Sequence, residues 1–470
     1  MIPARPGLRL ALLLLLGLAM VGLILAQRGL HAPGALGIGG NARMRAFVWL
    51  ALAAGALYLL AALLVLRGGP GPGPGGGLGR GAVWAILALA AAMRVPPLLA
   101  PPFLSTDVYR YVWDGKVQQA GINPYRFLPS DPHLRFLRDR RIYPFINRKS
   151  YAPTIYPPAA ELVYRAVAVV DASVRAMKAA MVGFEAVAVL CLLALLRRAG
   201  APPERILLYA WNPLVVWEFA GSGHVDALAV GFLALALLAA ALRRPGLAGF
   251  WLAAATLTKF LPAVVAPALW RRQDGWRQDW RRQDWRRQDW RLPLVFALAL
   301  VVFYLPFLGV GSRVFGFLAG YARQEGITSG AGIFYLFALG HLVALPAWVG
   351  PAYVAAVLAA LAALALALCA RPGPEPGSAA AIRAMGRDAR RLGTLLLVAL
   401  TPHYPWYFTW LLVPATLAPS FAVLALAAAA PLLYLDPIHT LLLWPGLLFG
   451  GFFLLLLAEA AGWRRRSPEA

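Results

Sequence analysis

Residues 105–127, STDVYRYVWDGKVQQAGINPYRF, form a polar, charged island in a chain that is otherwise apolar. Ser105 or Thr106 is placed to cap a helix, Asp107 falls in its first turn, and Gly121 followed by Asn123-Pro124 stops it. Helical spacing then sets Asp107, Arg110, Tyr111 and Asp114 on one face, with Tyr109 and Trp113 beside them. Two readings of that face are open. Two carboxylates, a guanidinium and a phenol can form a wall that binds a sugar and a phosphate. The same residues can equally belong to an interfacial helix with solvated charges and an aromatic anchor.

Outside the island the composition is that of a membrane scaffold. Of 470 residues, 61% are hydrophobic and only 14% charged, and the mean hydropathy of +0.67 lies far above that of soluble domains. Apolar runs near bilayer length recur from Leu8 to the C-terminus, separated by short Arg-rich or Gly/Pro-rich links. The runs are continuous rather than alternating with period two, which predicts helices and argues against a barrel. The net charge of +24 is explained by arginines in links that the positive-inside rule assigns to the cytoplasm, and no nucleic-acid-binding motif accompanies them. Cys191 and Cys369 both sit in apolar runs, so neither a disulfide framework nor a thiol metal site is expected. The first apolar run lacks a convincing small-residue cleavage site and is read as a retained span.

Taken in order, residues 8–26 and 46–66 are the first two spans, and a Gly/Pro linker over 68–81 has no phosphate-loop ending. With the N-terminus inside, the third span brings the island to the outer face. Its exposed loop continues through Asp131-Pro132, a basic run from Arg135 to Lys149, and TIYPPAAE over 154–161. The turn GSGHVDA, 221–227, falls on the same side, where His224 and Asp226 can polarise a substrate, share a metal, or simply form a polar turn; Glu218 is a third ionisable group nearby. Arginine-rich links flank residues 246–270, which predicts a dip or a broken pair with its break near Lys259 and Pro262. The Trp-Arg-Arg-Gln-Asp repeat between Trp270 and Trp290 reads as a cytoplasmic surface helix. A second outer link carries Arg313, Arg323 and Glu325, residues 371–391 look cytoplasmic, and the last outer turns carry TPHYPWY, 401–407, and Asp436. About twelve spans plus a broken pair result, with both termini inside.

Polar clusters thus converge on one face. The spacing of STDVYRYVWDG, GINPY and TIYPP, followed by GSGHVDAL, LTKFLP and PHYPWY, resembles the GT-C superfamily of membrane glycosyltransferases. The likeness is nearest to bacterial mannosyltransferase-like members and the first mannosyltransferase of the GPI-anchor pathway, and covers roughly residues 82–417. The fold it implies is an all-α polytopic bundle of about 12–14 transmembrane helices with a large first catalytic outer loop.

The resemblance also implies chemistry: a polyprenyl-phosphate-linked sugar donor, most readily mannose, an inverting transfer to a glycan or lipid-linked acceptor, and Asp107 as general base, an effect typically of about 10²- to 10⁴-fold. Arg110, Lys259 and Arg323 are the cations available to a leaving phosphate, Lys259 first among them. His224, Asp226, His403 and Tyr404 would line the pocket; Tyr109, Tyr125 and Tyr156 would shape it. Many relatives carry two adjacent acids in the first loop, sometimes with a metal. Here the second acid is Asp114, seven residues on, so no cofactor is assigned and a divalent cation stays open. Asp114 is left to orient Arg110, cap a turn, or replace Asp107 as proton acceptor.

The expected organisation is 1–81, two N-terminal helices and linker; 82–269, the catalytic module with outer loop 102–175; 270–291, the repeat; and 292–470, the C-terminal helices. Membrane lipids are expected partners and nucleic acid is not. The Arg- and Ala-rich composition suits a high-GC bacterial genome, hence an inner membrane with a periplasmic active face. Two other classes compete: a transporter or flippase of a lipid-linked saccharide, which calls for ionisable residues along the spans and an internal repeat that the sequence does not show, and an envelope scaffold, in which Asp107 is dispensable.

Overall fold

The structure, a computed structural model, describes residues 6–30, 42–67, 80–270, 289–327, 329–436 and 441–466. It is an all-α, multi-pass arrangement. The Gly/Pro linker and the Trp-Arg repeat lie outside the described residues, apart from the repeat's flanks. Seven helices there are long and apolar enough to cross a membrane, and a further pair, Pro213–Gly221 and Asp226–Ala241, meets at a bend of 117°. The first long helices are α1 (Pro6–Arg28), α2 (Ala42–Arg67) and α3 (Arg80–Leu99). Many large apolar side chains stay exposed on the long helices, among them Leu15, Leu190, Leu366 and Leu454. Facing lipid, these residues need no protein cover.

Among the described residues, seven long helices and a bent pair are fewer than the 12–14 transmembrane helices expected, which included short and broken spans. Several predicted spans are broken where Pro and Gly interrupt the backbone ladder. Residues 246–270 fold as a helix, Pro245–Thr256, then a 3₁₀ turn, Leu261–Val265, and a four-residue helix, Ala266–Leu269. The break at Lys259 lies where it was expected. The supposed link 371–391 is different: its second half belongs to a continuous helix, Ala379–Leu400, with Arg383, Arg387, Arg390 and Arg391 along it.

Charge also lies inside the bundle, not only at one face. Arg94 of α3 grips both carboxylate oxygens of Glu185 in α6 (Val174–Arg198), with Nε at 3.0 and 2.9 Å. Lys178 Nζ donates to the carbonyls of Pro97 and Ala100 at 2.7 and 2.6 Å. Both carbonyls stand at the C-terminal end of α3, where the last C=O groups have no intrahelical N–H partner and can accept from side chains.

The island folds as α4 (Asp107–Gln119) and packs on α5 (Pro158–Val170). Contact is close because Gly115 has no side chain: a Cβ there would stand 2.5 Å from the carbonyl oxygen of Tyr164. Thr106 is the N-cap residue but makes no side-chain capping bond; Ser105 Oγ instead accepts from the Asp107 amide at 3.2 Å. Its position at the start of α4 delivers Asp107 to the mouth of a cavity.

Candidate active site

The cavity has a volume of about 560 Å³ and is assembled from segments distant in sequence. Asp107 and Tyr111 come from α4, Asn147, Arg148 and Tyr156 from the loop after it, and His224 and Asp226 from the bent pair. Lys259 comes from the break after Pro245–Thr256, while Tyr321, Glu325, His403, Tyr404, Trp406 and Tyr407 close the far wall. Residues beyond 292 therefore complete a site that the sequence centred on 82–269.

The bend that presents His224 and Asp226 has a local cause. Residues 216–221 form a single π-helical turn, and His224 N returns to the carbonyl of Glu218 at 2.9 Å. Gly223 sits at φ +70°, and a Cβ there would meet Lys178 Cγ at 2.8 Å. Only glycine allows the reversal at that spot.

Asp107 Oδ1 accepts from Asn147 Nδ2 at 2.6 Å, and Oδ2 lies 3.8 Å from His224 Nδ1. Among the described residues no Lys or Arg pairs with it within 4 Å. Burial pushes its pKa up, and the Arg148 charge and the Asn147 hydrogen bond pull against that rise without cancelling it. A raised proton affinity is what a general base requires.

Lys259 is tightly held. Its Nζ bonds both oxygens of Asp226, at 2.8 and 2.9 Å, and lies 3.9 Å above the Tyr407 ring. Arg148, which the sequence reading did not single out from its basic run, is held more loosely. Its Nε donates to Gln324 Oε1 at 3.0 Å, and its guanidinium lies 3.7 Å from Glu325, whose other oxygen is 3.3 Å from His403 Nδ1. Its φ of +51° is an uncommon backbone state for a side chain of this size. The far wall is aromatic: His224 stacks on Trp406 at 4.1 Å, and Trp406 on Tyr404 at 4.5 Å and 5° between planes.

Five residues expected at the substrate do not line this cavity. Arg110 Nε grips both Asp114 oxygens at 2.9 Å and its NH1 donates to the Ala152 carbonyl, so the pair neutralises itself behind the wall. Glu161 lies against this cluster, bound by Thr154 Oγ1 and Gln118 Nε2 at 2.7 Å each, and burial raises the pKa of both Asp114 and Glu161. Arg323 is exposed on the outside of its helix, Leu318–Gln324. Tyr125 supports from behind, donating to the Tyr156 carbonyl at 2.7 Å. Tyr109 also lies off the cavity; it stacks on Phe145 and steadies the segment that carries Asn147 and Arg148. Asp107 and Asp114 do not converge as a metal-binding pair, and among the described residues no group of three His, Cys, Asp or Glu is set to hold a metal ion.

The cavity's remaining lining is largely apolar, with Leu104, Ile155, Leu261, Leu318 and Leu397. Such a site takes a ligand with a greasy part and a polar, anionic part. No match was found among curated proteins or among solved structures. Residues 4–271 match the family described as alpha-(1->6)-mannopyranosyltransferase, N-terminal domain, and residues 154–401 match glycosyltransferase family 87, each over more than half of the chain. The chain belongs to these families and is a multi-pass membrane glycosyltransferase.

Proposed function

We propose that the protein transfers mannose from a polyprenyl-phosphate donor to a glycan or lipid-linked acceptor, with inversion, at the outer face of the inner membrane. The observation that carries this reading is the cavity itself: one carboxylate that, among the described residues, has no Lys or Arg within 4 Å, two cations across from it, and walls that are aromatic and aliphatic. Asp107 takes the acceptor hydroxyl proton as that oxygen attacks the anomeric carbon. The bond to the phosphate oxygen breaks on the opposite side, and its electron pair leaves with the phosphate.

Arg148 and Lys259 stabilise that growing charge. Asp226 fixes Lys259 but takes up part of its charge, so Arg148 is the stronger phosphate partner and replaces Arg110 and Arg323 in that role. The stacked rings of Tyr404 and Trp406 offer a flat face to the sugar, and the aliphatic lining accepts the first isoprene units. On this reading residues 82–269 hold the base and the bent pair, and residues 292–470 supply the wall opposite.

Purified protein in liposomes, given radiolabelled mannose on polyprenyl phosphate or on a nucleotide, with synthetic mannoside acceptors, tests this directly. Transfer from the lipid-linked donor alone is the expected result. Transfer from the nucleotide sugar overturns the donor assignment. No transfer from either, with movement of the labelled lipid between leaflets, would establish a flippase instead.

A further inference from the structure

Behind Asp107 the wall holds a file of buried groups. His224 Nδ1 faces Asp107 Oδ2 at 3.8 Å, and His224 Nε2 faces Glu218 Oε2 at 3.4 Å. Glu218 Oε1 accepts from Tyr434 OH at 2.6 Å. His224 is 1% exposed and Glu218 0%, yet among the described residues Glu218 makes no ion pair with Lys or Arg. A buried carboxylate in that position is expensive to hold and takes up a proton readily. Moreover, Glu218 Oε2 and His224 Nε2 are both buried without a hydrogen-bond partner, although they face each other.

The two groups are also mechanically fixed. His224 is clamped against the Trp406 ring, which leaves one nitrogen turned to each acid. Glu218 stands on the π-helical turn 216–221, a geometry that recurs at functional sites, and the Tyr434 bond to Oε1 leaves Oε2 turned to the imidazole. The other charged groups around the file are Lys259 and Asp226, bound to each other, and Arg148 on the Asp107 side.

We propose that Asp107, His224 and Glu218 form a proton relay in which Glu218 is the final acceptor. The inference rests on Asp107 being the base. The acceptor's proton passes to Asp107 Oδ2 as the new glycosidic bond forms and the bond to phosphate breaks. Asp107 then gives that proton to His224 Nδ1, while the proton on His224 Nε2 moves to Glu218 Oε2. Asp107 is a carboxylate again, His224 is neutral in its other tautomer, and Glu218 is an acid; when product leaves and water re-enters the cavity, the proton returns along the same file through Asp107 to solvent, which restores the starting tautomer and the Glu218 carboxylate. Contacts of 3.8 and 3.4 Å close to hydrogen bonds when substrate draws the walls together, as such contacts do in other enzymes. The gain is that the base is restored without bulk water in a cavity stoppered by a lipid tail. His224 and Glu218 act through Asp107 and are positioning residues.

The decisive variant is Glu218→Gln, which keeps the volume and the Tyr434 bond but cannot take the proton. Its kcat should fall roughly 10- to 100-fold at about pH 9, where Glu218 is ionised and able to accept, with donor KM unchanged, and the deficit should narrow as pH falls and Glu218 already holds a proton. Wild-type kcat and pH profile in this variant, or a loss equal at all pH values with a raised KM, would overturn the relay. Should Glu218→Gln not give monodisperse protein, His224→Ala decides: restored turnover on adding imidazole supports the relay, and no restoration in folded protein sinks it. Asp107→Asn is run alongside. Activity equal to wild type there removes the base and the relay together, whereas an inactive Asp107→Asn beside a normal Glu218→Gln removes the relay alone.

Discussion

Asp107 and Asp114 share one face of a single helix, and their surroundings are opposite. Asp107 opens on the cavity with an amide on one oxygen and, among the described residues, no Lys or Arg within 4 Å. Asp114 is clasped by Arg110 two turns further on, under the cover of α5. Seven residues return to nearly the same angle but advance about 10 Å along the axis. That advance carries the second carboxylate from the rim of the site into the packing between α4 and α5. Sharing a helix face is thus not enough to share a site.

Replacing each aspartate by asparagine should separate the two. Asp107→Asn is expected to lose about 10²- to 10⁴-fold in transfer with donor binding kept, measured as labelled product and by donor retention on the protein. A comparable kinetic loss in Asp114→Asn, with normal folding, would break the contrast.

Arg110→Ala leaves Asp114 buried without its cation, which typically costs about 3–5 kcal/mol. A lowered thermal midpoint in detergent is expected, with the surviving folded fraction still able to bind donor. Arg148→Ala should do the reverse, lowering kcat about 10²-fold at unchanged stability, as loss of one charge-stabilising donor does. If Arg148→Ala were silent and Arg110→Ala kinetically dead while stable, the assignment of cations would be inverted.

The pH dependence sharpens the same comparison. Because burial raises the Asp107 pKa, wild-type turnover should fall as pH drops through a value above the ordinary carboxylate range. Stability runs the other way. The folded chain holds this proton more tightly than the unfolded one, so the group's contribution is full below the unfolded pKa and is lost as pH rises through the raised one. Asp107→Asn should therefore remove its kinetic limb and be the more stable protein at neutral pH, by thermal unfolding. The smallest effect is expected at Arg323, where alanine should change neither turnover nor stability, because the side chain is exposed and off the cavity.

Much of the site was legible as residue types. Asp107, Tyr156, His224, Asp226, Lys259, His403 and Tyr404 all line the cavity; the ionisable groups among them were found as residues that an apolar chain has no cheap way to hold, and Tyr156 and Tyr404 through the family resemblance. Arg148 was lost among the neighbouring arginines of its run; its signal is backbone conformation and a partner in the segment 318–325, neither of which local sequence displays. Several expected spans fold as broken helices for a related reason. Apolar composition continues across Pro262 and Pro405, but the helix does not.

Composition by itself determined that the chain folds as membrane helices, since hydrocarbon leaves backbone groups no other partner. Spacing in the polar stretches determined that α4 starts at Asp107 and that the chain turns sharply near His224. Which charges face a ligand and which cancel one another was decided only by tertiary packing. Arg110 meets Asp114 within one helix, whereas Lys259 meets Asp226 and His224 meets Glu218 across the bend and its neighbours. Burial makes those pairings obligatory, because a charge taken from water must find its partner wherever the fold brings one.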